Sequence, residues 1–197
     1  DNQIKETLNK YGLTYEYHKD IEKVTAQKIS DGKLIGWFQG RMEIGQRALG
    51  NRSILANPCF KEMKDKLNLA VKYREAFRPF APAVLEEKAH EFFDMPEGES
   101  VPFMEKVYPV KINKRETIPA VTHQDGSGRL QSVAKDNNPR FHLLISEFEQ
   151  ITKIPVVINT SFNLNGEPVV CSPTDAIRTF YSCGLDILVI GNYLIEK

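Results

Sequence analysis

The 197-residue sequence has few cysteines, no CxxC pair and no long apolar run. Its three thiols, Cys59, Cys171 and Cys183, are an odd number and widely spaced, which argues against a disulfide framework and a zinc knuckle. No apolar run approaches the roughly 20 residues that a membrane span needs, and the polar N-terminus does not resemble a signal peptide. These absences predict a reducing, cytoplasmic environment and no membrane partner.

An excess of charge of one sign is also missing, because 26 Lys and Arg residues balance 26 Asp and Glu residues. Zero net charge gives no indication of a nucleic-acid partner, so none is expected. The sequence contains no P-loop, no HExxH motif and no cluster of carboxylates, and no Ser-His-Asp order is compelling. We therefore expect neither a dedicated metal centre nor an obvious nucleophile.

Apolar spacing predicts interspersed helices and strands, and hence an α/β or α+β fold with a mixed sheet. Helices are predicted over residues 2–11, 20–31, 61–72, 86–93, 139–148 and 175–183. Strands are predicted over residues 34–38, 79–85, 103–110, 129–133, 154–159 and 186–190. Residues 1–20 are expected to be an N-terminal extension or interdomain linker, and residues 21–197 one domain. Since the first residue is Asp1 rather than Met, we expect a piece of a longer protein.

A predicted strand leads into a loop rich in glycine and arginine. The apolar run 34–38 is typical of a buried strand, and the loop after it contains Arg41, Arg47 and Arg52 beside three glycines. Glycine lets backbone N–H groups approach a ligand, and a guanidinium matches phosphate or carboxylate oxygens. The loop therefore predicts an anion site, with Glu43 orienting an arginine. The alternative is a glycine-rich turn with surface ion pairs.

A second basic segment lies downstream. Lys72, Arg74 and Arg78 share the same parity, so an extended chain would place all three side chains on one face. Three such cations repel each other unless an anion or acidic groups lie between them. The rigid run Pro79–Pro82 favours a binding site. The alternative is a solvated basic edge paired with Glu75.

A third segment places polar side chains at the end of the predicted strand 154–159. Asn159, Ser161 and Asn163 follow one another at alternate positions. Ligands of open α/β sheets tend to bind at the carboxyl ends of strands, so these residues predict a binding site. The alternative is a hydrophilic turn stabilised by its own side chains.

A fourth segment contains His123 and Asp125 shortly before Arg129. The histidine and the aspartate are candidates for metal ligation or for an acid–base pair, and the alternative is a hydrogen-bonded structural pair. Together the four segments predict an electrostatic site for a polyanion. Such a site acts by positioning and charge neutralisation, as in phosphoryl or nucleotidyl transfer.

The same four segments carry a family resemblance. They read GRMEIGQRALGNRSILANP, VKYREAFRPFAPAVL, VTHQDGSGRLQSV and INTSFNLNGEPVVCSPTDAI. In this order they closely resemble the C-terminal domain of the O-carbamoyltransferase family, which includes enzymes of nodulation-factor and antibiotic biosynthesis. The resemblance extends from about Gly32 to the C-terminus. It implies a YrdC-like fold, a twisted mixed sheet flanked by helices around a positively charged cavity.

The resemblance also implies an activity. The domain would take carbamoyl phosphate and ATP with Mg²⁺ and form carbamoyl-adenylate. An N-terminal domain with an actin-like fold, absent from these residues, would then transfer the carbamoyl group to a hydroxyl. The alternatives are a regulatory module that binds nucleotide or carbamoyl phosphate without turnover, and a double-stranded RNA binder, which the zero net charge disfavours.

Residue roles follow from the resemblance. The expected catalytic residues are Lys72, Arg47 and Arg52. Lys72 would grip phosphates together with Arg74. Arg47 and Arg52 would surround carbamoyl phosphate and the adenylate. Gln46 stands where the family usually has proline. The expected ligand-binding residues are Arg74, Arg78, Asn159, Ser161, Asn163, Arg129 and His123.

Overall fold

The computed structural model describes residues 2–73 and 78–197, in which six helices and ten strands occur. The helices are α1 (Asn2–Lys10), α2 (Ile21–Ser30), α3 (Met63–Leu67), α4 (Ala89–Phe92), α5 (Pro139–Thr152) and α6 (Pro173–Tyr181). The strands are β1 (Glu16–Tyr17), β2 (Ile35–Phe38), β3 (Arg52–Ala56), β4 (Ala81–Leu85), β5 (Tyr108–Pro109), β6 (Ser127–Gly128), β7 (Gln131–Val133), β8 (Val156–Ser161), β9 (Ile187–Ile190) and β10 (Tyr193–Glu196). A π-helical turn, Asn68–Lys72, continues α3, and 3₁₀ turns occupy Glu86–Lys88, Ile112–Lys114 and Pro119–Val121.

Eight strands form one mixed sheet in the order β1-β10-β9-β2-β3-β8-β4-β7. The β2–β9 and β4–β7 pairs are parallel, and the other neighbouring pairs are antiparallel. Strand β8 lies between β3 and β4, so the end of β8 meets the beginnings of both neighbours. In this register Asn159 is opposite Leu55 on one side and Ala81 on the other.

Helices cover both faces of the sheet. On one face α2 and α5 pack over a cluster that includes Trp37, Leu55 and Val157, and the four buried apolar residues of α5, which recur at helical spacing, belong to it. On the other face a larger cluster contains side chains of α1, α3, α4 and α6. The sheet therefore holds the chain between two apolar layers, and its strand ends are left for the site.

Several predicted elements differ from the structure. The predicted strand 103–110 is reduced to Tyr108–Pro109, and the predicted helix 61–72 changes from α to π geometry at Asn68. The sequence does not predict strand β3, because Arg52 and Ser53 belong to the polar segment and Arg52 is expected to bind a ligand. In the range 2–20, Leu8 is fully buried and β1 pairs with β10, so this part packs onto the sheet. None of the described helices has both the length and the apolar character of a membrane span.

Candidate functional site

Glu43 organises the loop between β2 and β3, residues 39–51, called here the arginine loop, through backbone contacts. One carboxylate oxygen, Oε1, accepts hydrogen bonds from the backbone N–H groups of Leu49 (2.7 Å), Asn51 (2.8 Å) and Arg52 (3.2 Å). A carboxylate that accepts three backbone N–H groups fixes the local chain path. Among the described residues Glu43 makes no side-chain hydrogen bond to an arginine; it holds the backbone of the loop, and its charge acts on the nearby Arg52.

Arg52 points into the protein rather than toward a ligand. Its side chain is buried, and the guanidinium carbon lies 3.6 Å from the centre of the Phe38 ring. Burial lowers the pKa of Arg52, while Glu43 and Cys171 oppose that shift. The guanidinium donates hydrogen bonds to the backbone carbonyls of Gln39 (2.6 Å), Asn51 (3.0 Å), Gly40 (3.2 Å) and Cys171 (3.4 Å). It thereby joins the end of β2, the arginine loop and the residue before the cap of α6.

We expect the substitution Arg52→Met to lower the free energy of unfolding by about 3 kcal/mol, because buried carbonyls lose their donors. Arg52→Lys should cost roughly half as much, since an ammonium retains the charge but offers no planar fork. Urea unfolding curves measure both values. A variant that unfolds like the wild type but no longer binds a ligand would contradict this structural role.

Two adjoining cavities lie where β8 ends and β4 begins. The strand-end cavity, of about 120 Å³, is lined by Arg47, Asn159 and Ser161 among others. The arginine cavity, of about 350 Å³, is lined by Arg47, Arg78, His123 and Arg129 among others. Arg47, Arg129 and residues 79–81 line both cavities, so a ligand could occupy the two together.

Arg47 and Arg129 bring like charges together at this site. Across residues 2–73 and 78–197, neither guanidinium has a hydrogen-bond or ion-pair partner. Burial lowers the pKa of Arg129, and the nearby charge of Arg47 lowers it further. Two neighbouring guanidinium groups that lack a carboxylate are stabilised by an anion between them. The arrangement is therefore suited to a phosphate or a carboxylate.

Lys72 joins the π-helical turn to the end of β8. Its buried ammonium donates to the backbone oxygens of Ser161 (2.7 Å) and Asn163 (3.0 Å). It also contacts Asn163 Oδ1 (2.8 Å) and Ser161 Oγ (3.3 Å). The chain is helical at Lys72, as predicted for residues 61–72, and Tyr73 adopts a left-handed conformation (φ 45°), so the one-face arrangement that an extended chain would give does not apply at Lys72. Arg74 lies outside the described residues.

Asn159 is held by its amide group. Its Nδ2 donates to Ala48 O (3.0 Å) and Gln131 Oε1 (2.8 Å), whereas the buried Oδ1 has no hydrogen-bond partner among the described residues. Asn159 and Gln131 meet across β4, where Ala81 and Ala83 share their face and leave room for the two amides. An unpartnered buried acceptor is costly unless a ligand uses it.

His123 and Asp125 meet at Ser127 in a turn. Ser127 Oγ donates its only proton to Asp125 Oδ1 (2.7 Å), so the contact at 3.2 Å from His123 Nδ1 requires a proton on Nδ1. Burial lowers the pKa of His123, as do Arg129 and Lys64, while Asp125 opposes them. The neutral ring then has a bare Nε2, which is buried and has no partner in the described chain. At Nδ1 the arrangement matches the hydrogen-bonded structural pair of His123 and Asp125, here joined through Ser127. The Nε2 of His123 remains an acceptor without a partner among the described residues.

The structure separates the predicted site residues into three places. Arg47, Arg78, Arg129 and His123 line the arginine cavity, and Lys72, Ser161 and Asn163 form one hydrogen-bonded cluster at the strand end. Arg52 lines a different cavity, next to the cap of α6.

Sequence reasoning missed Gln131, which holds Asn159, and Met104, a buried residue with φ 56° that lines the strand-end cavity. Only the position of Gln131 on a predicted strand could have indicated its role.

In the described parts of the chain, no three His, Cys, Asp or Glu side chains come close enough together to hold a metal ion.

Comparisons with known proteins agree with the fold. A family model described as "Carbamoyltransferase C-terminus" matches residues 26–197. The solved structure of full-length HypF in the phosphate- and nucleotide-bound form matches 90% of this chain and 22% of that one, with a TM-score of 0.62 and 17% identity. That likeness concerns the fold alone, and it confirms the predicted YrdC-like mixed α/β fold.

Two curated proteins that are longer than this chain are similar to it. The chain is 48% identical over 200 residues to the nodulation protein NolNO of Sinorhizobium fredii (strain NBRC 101917 / NGR234), covering 100% of this chain and 29% of that protein. It is 38% identical over 169 residues to a 3'-hydroxymethylcephem-O-carbamoyltransferase of Amycolatopsis lactamdurans, covering 86% and 32%. The chain spans about a third of the length of the curated relatives it matches.

Proposed function

We propose a function for this chain from one premise: it belongs to the carbamoyltransferase C-terminus family. The resemblance carried by its four sequence segments is thereby confirmed. The proposed function is to activate a carbamoyl group, by forming carbamoyl-adenylate from carbamoyl phosphate and ATP. A further domain of the longer protein, expected to have an actin-like fold, would transfer the group to a substrate hydroxyl.

The proposed reaction has two steps. Water first cleaves carbamoyl phosphate into carbamate and inorganic phosphate. A carbamate oxygen then attacks the α-phosphorus of ATP, the bond from that phosphorus to the bridging oxygen breaks, and pyrophosphate leaves with the bond electrons. Both steps bring anions together, and preorganised cations lower that electrostatic cost.

The arginine cavity is the observation that carries the proposal. Its lining includes Arg47 and Arg129, which lack partners in the described residues, and His123, whose buried Nε2 has no partner there either. Guanidinium groups bind phosphate oxygens, whereas a neutral imidazole nitrogen accepts an N–H group. Carbamoyl phosphate carries both chemical features, an anionic phosphate and an amino group. Inorganic phosphate and acetyl phosphate lack the amino group.

The other site residues are assigned to phosphate binding or to holding the site in place. Arg78 lines the arginine cavity and would bind phosphate there with Arg47. Lys72 holds the turn of Ser161 and Asn163 at the edge of the strand-end cavity, where the ATP phosphates would lie. Arg74 is expected to grip phosphate beside Lys72. Arg52 would act by fixing the loop that presents Arg47.

Mg²⁺ would accompany ATP in this proposal and neutralise phosphate charge. The oxygens of Ser161 and Asn163 already accept hydrogen bonds from Lys72. Asn159 Oδ1 has no such partner in the described residues, and Asn159 is one of the residues that line the strand-end cavity. Mg²⁺ keeps most of its ligands from water and phosphate, so Asn159 Oδ1 would be at most a single protein ligand beside them.

The substitution Arg129→Gln tests the arginine cavity. We expect it to weaken carbamoyl phosphate binding about 10-fold, because one charge-assisted contact to phosphate is lost. Arg41→Gln, which changes an exposed arginine of the same loop, should leave binding unchanged. Calorimetric titration measures both affinities. Equal weakening by the two substitutions would contradict a specific site and indicate a general effect of charge.

Pyrophosphate release distinguishes an enzyme that forms carbamoyl-adenylate from a regulatory module that only binds its ligands. With ATP, Mg²⁺ and carbamoyl phosphate, the chain should release pyrophosphate and phosphate in equal amounts. Binding of both ligands without release would support the regulatory module instead. Failure to bind either ligand, with a salt-sensitive mobility shift of double-stranded RNA, would support the third alternative.

A further inference from the structure

Three consecutive backbone carbonyls of the arginine loop are each held by a buried side chain from a different strand. They belong to residues 48–50, called here the anchored segment. In chain order the three carbonyl oxygens accept hydrogen bonds from Asn159 Nδ2 of β8 (3.0 Å), Gln131 Nε2 of β7 (3.0 Å) and Trp37 Nε1 of β2 (2.8 Å). A buried carbonyl that loses its donor is costly, so the three bonds together determine the path of this backbone.

Arg47 immediately precedes the anchored segment, so these bonds determine where its side chain begins. The side chain of Arg47 is itself exposed, and it has no hydrogen-bond or ion-pair partner among the described residues. It lines both the strand-end cavity and the arginine cavity. The anchored backbone, rather than a contact of the guanidinium, therefore fixes the place from which Arg47 reaches the two cavities.

Gln131 is the donor that connects the two arginines of the site. It lies two residues after Arg129, and its acceptor Leu49 lies two residues after Arg47. The bond from Gln131 Nε2 to Leu49 O thus joins the segment that carries one guanidinium to the segment that carries the other. The charge of Arg47 lowers the pKa of Arg129, which means that the two groups repel each other before an anion binds. A link between their backbones opposes that repulsion.

Gln131 also orients the amide of Asn159. A carbonyl oxygen only accepts, so Leu49 O requires the nitrogen of Gln131, and this turns Oε1 of Gln131 toward Asn159. That oxygen in turn requires the nitrogen of Asn159, at 2.8 Å, which leaves Asn159 Oδ1 without a partner in the described chain. One backbone carbonyl of the anchored segment therefore sets the orientation of both amides.

We propose that Gln131 is a positioning residue, which holds Arg47 at the distance from Arg129 at which one anion binds both guanidinium groups. This inference rests on the proposed function, because it takes that anion to be the phosphate of carbamoyl phosphate. Gln131 does not occur among the described lining residues of the strand-end and arginine cavities, so it acts through the anchored segment. A ligand that meets two arginines already in place does not have to order the loop, and its affinity is higher for that reason.

Two neighbouring residues of β7 supply matched substitutions. Gln131→Met keeps the length of the side chain and removes the hydrogen bonds of the amide. Ser132→Ala also removes two hydrogen bonds of a buried residue, from Val101 N (2.7 Å) and to Glu86 Oε2 (2.8 Å), and both partners lie outside the arginine loop. Gln131→Asn, whose amide is one methylene too short to reach the loop, takes the place of the methionine variant if that variant does not fold.

The wild type and both variants are titrated with carbamoyl phosphate and with inorganic phosphate, at a temperature where urea unfolding shows each protein to be folded. We expect Gln131→Met to weaken the binding of both ligands about 10-fold, because the loop has to be ordered when the anion binds. Ser132→Ala should leave both affinities unchanged, although it also lowers the free energy of unfolding.

A double-mutant cycle distinguishes positioning of Arg47 from a general loss of stability. Arg47→Gln alone should weaken carbamoyl phosphate binding about 10-fold. Adding Gln131→Met to it should weaken binding less than about 2-fold further, because the side chain that Gln131 positions is gone. In the background of Arg41→Gln, an exposed arginine of the same loop, Gln131→Met should keep its full effect. A role limited to stability would give additive effects in both backgrounds.

Three results would overturn the positioning role: unchanged affinities in Gln131→Met, equal weakening by Ser132→Ala, or additive effects with Arg47→Gln. Each of them would leave the proposed function intact, provided that the wild type binds carbamoyl phosphate. A wild type that binds inorganic phosphate but not carbamoyl phosphate would overturn the proposed function, and the phosphate affinities of the variants would still decide this inference. A wild type that binds neither ligand would overturn both together.

Discussion

Replacing Gly50 by alanine is expected to lower the free energy of unfolding by about 4 kcal/mol, the largest effect of any single methyl group in the arginine loop. Gly50 has φ +107°, a conformation that L side chains rarely adopt. A Cβ atom there would lie 2.3 Å from Cδ1 and 2.6 Å from Cγ of Phe141, a fully buried ring of α5. Backbone strain and a clash with the core therefore act together.

Gly45 is the matched control for Gly50. It has the same φ of +107°, but a Cβ atom built on it meets no other atom within 4 Å. Gly45→Ala should therefore cost only the backbone strain, about 2 kcal/mol. Urea unfolding of both variants isolates the packing contribution as their difference. Equal destabilisation would show that the ring of Phe141 can move aside at no cost.

The same substitution is expected to impair the site. The carbonyl of Gly50 accepts a hydrogen bond from Trp37 Nε1 (2.8 Å), and its N–H donates to Ser53 Oγ (3.1 Å), so the turn is fixed at both ends. A displaced turn would move the neighbouring segment that presents Arg47. We therefore expect weaker carbamoyl phosphate binding in Gly50→Ala, measured at a temperature where the variant is folded, and nearly normal binding in Gly45→Ala.

Replacing Lys72 by methionine is expected to cost about 3 kcal/mol of unfolding free energy and to abolish pyrophosphate release. The ammonium is the donor for oxygens of Ser161 and Asn163, and a methionine of similar length would leave them without it. The turn after β8 would then lose its connection to the π-helical turn. Because this turn borders the strand-end cavity, we expect stability and activity to fall together.

Lys61→Met is the control for Lys72→Met, because Lys61 is exposed and lies shortly before α3. It should change the unfolding free energy by less than about 0.5 kcal/mol. Thermal or urea unfolding and a pyrophosphate assay on both variants complete the test. Normal pyrophosphate release in a destabilised Lys72→Met variant would restrict Lys72 to a structural role. Normal stability with lost release would instead make it a ligand-binding residue.

Much of the fold was predictable from local pattern. The inner face of α5, with Phe141, Leu144, Ile145 and Phe148, follows from 3.6-residue spacing, and all four side chains are buried. The sequence offers Ser172 and Thr174 as caps for α6, and the structure shows a capping box between Ser172 and Asp175. These features depend on residues a few positions apart, so the sequence contains the necessary information.

The candidate site was predictable only in its residue types. Spacing identified Asn159, Ser161 and Asn163 at a strand end, and the structure brings Ser161 and Asn163 to Lys72, 89 and 91 residues away. Arg52 follows Arg47 closely in the sequence but points inward, because it begins β3 and its neighbours supply backbone carbonyls. Local spacing cannot distinguish an arginine that binds an anion from one that binds backbone oxygens.

The sequence by itself determined the mixed α/β class, the faces of the main helices, and the family, because periodicity and motif order are local properties of the chain. The tertiary structure decided which cations meet. Arg47 and Arg129 come together only because β8 lies between β3 and β4, and β7 pairs with β4. Strand order is set by the burial of both sheet faces across the whole chain, so the positions of charged side chains at the strand ends depend on contacts between distant residues.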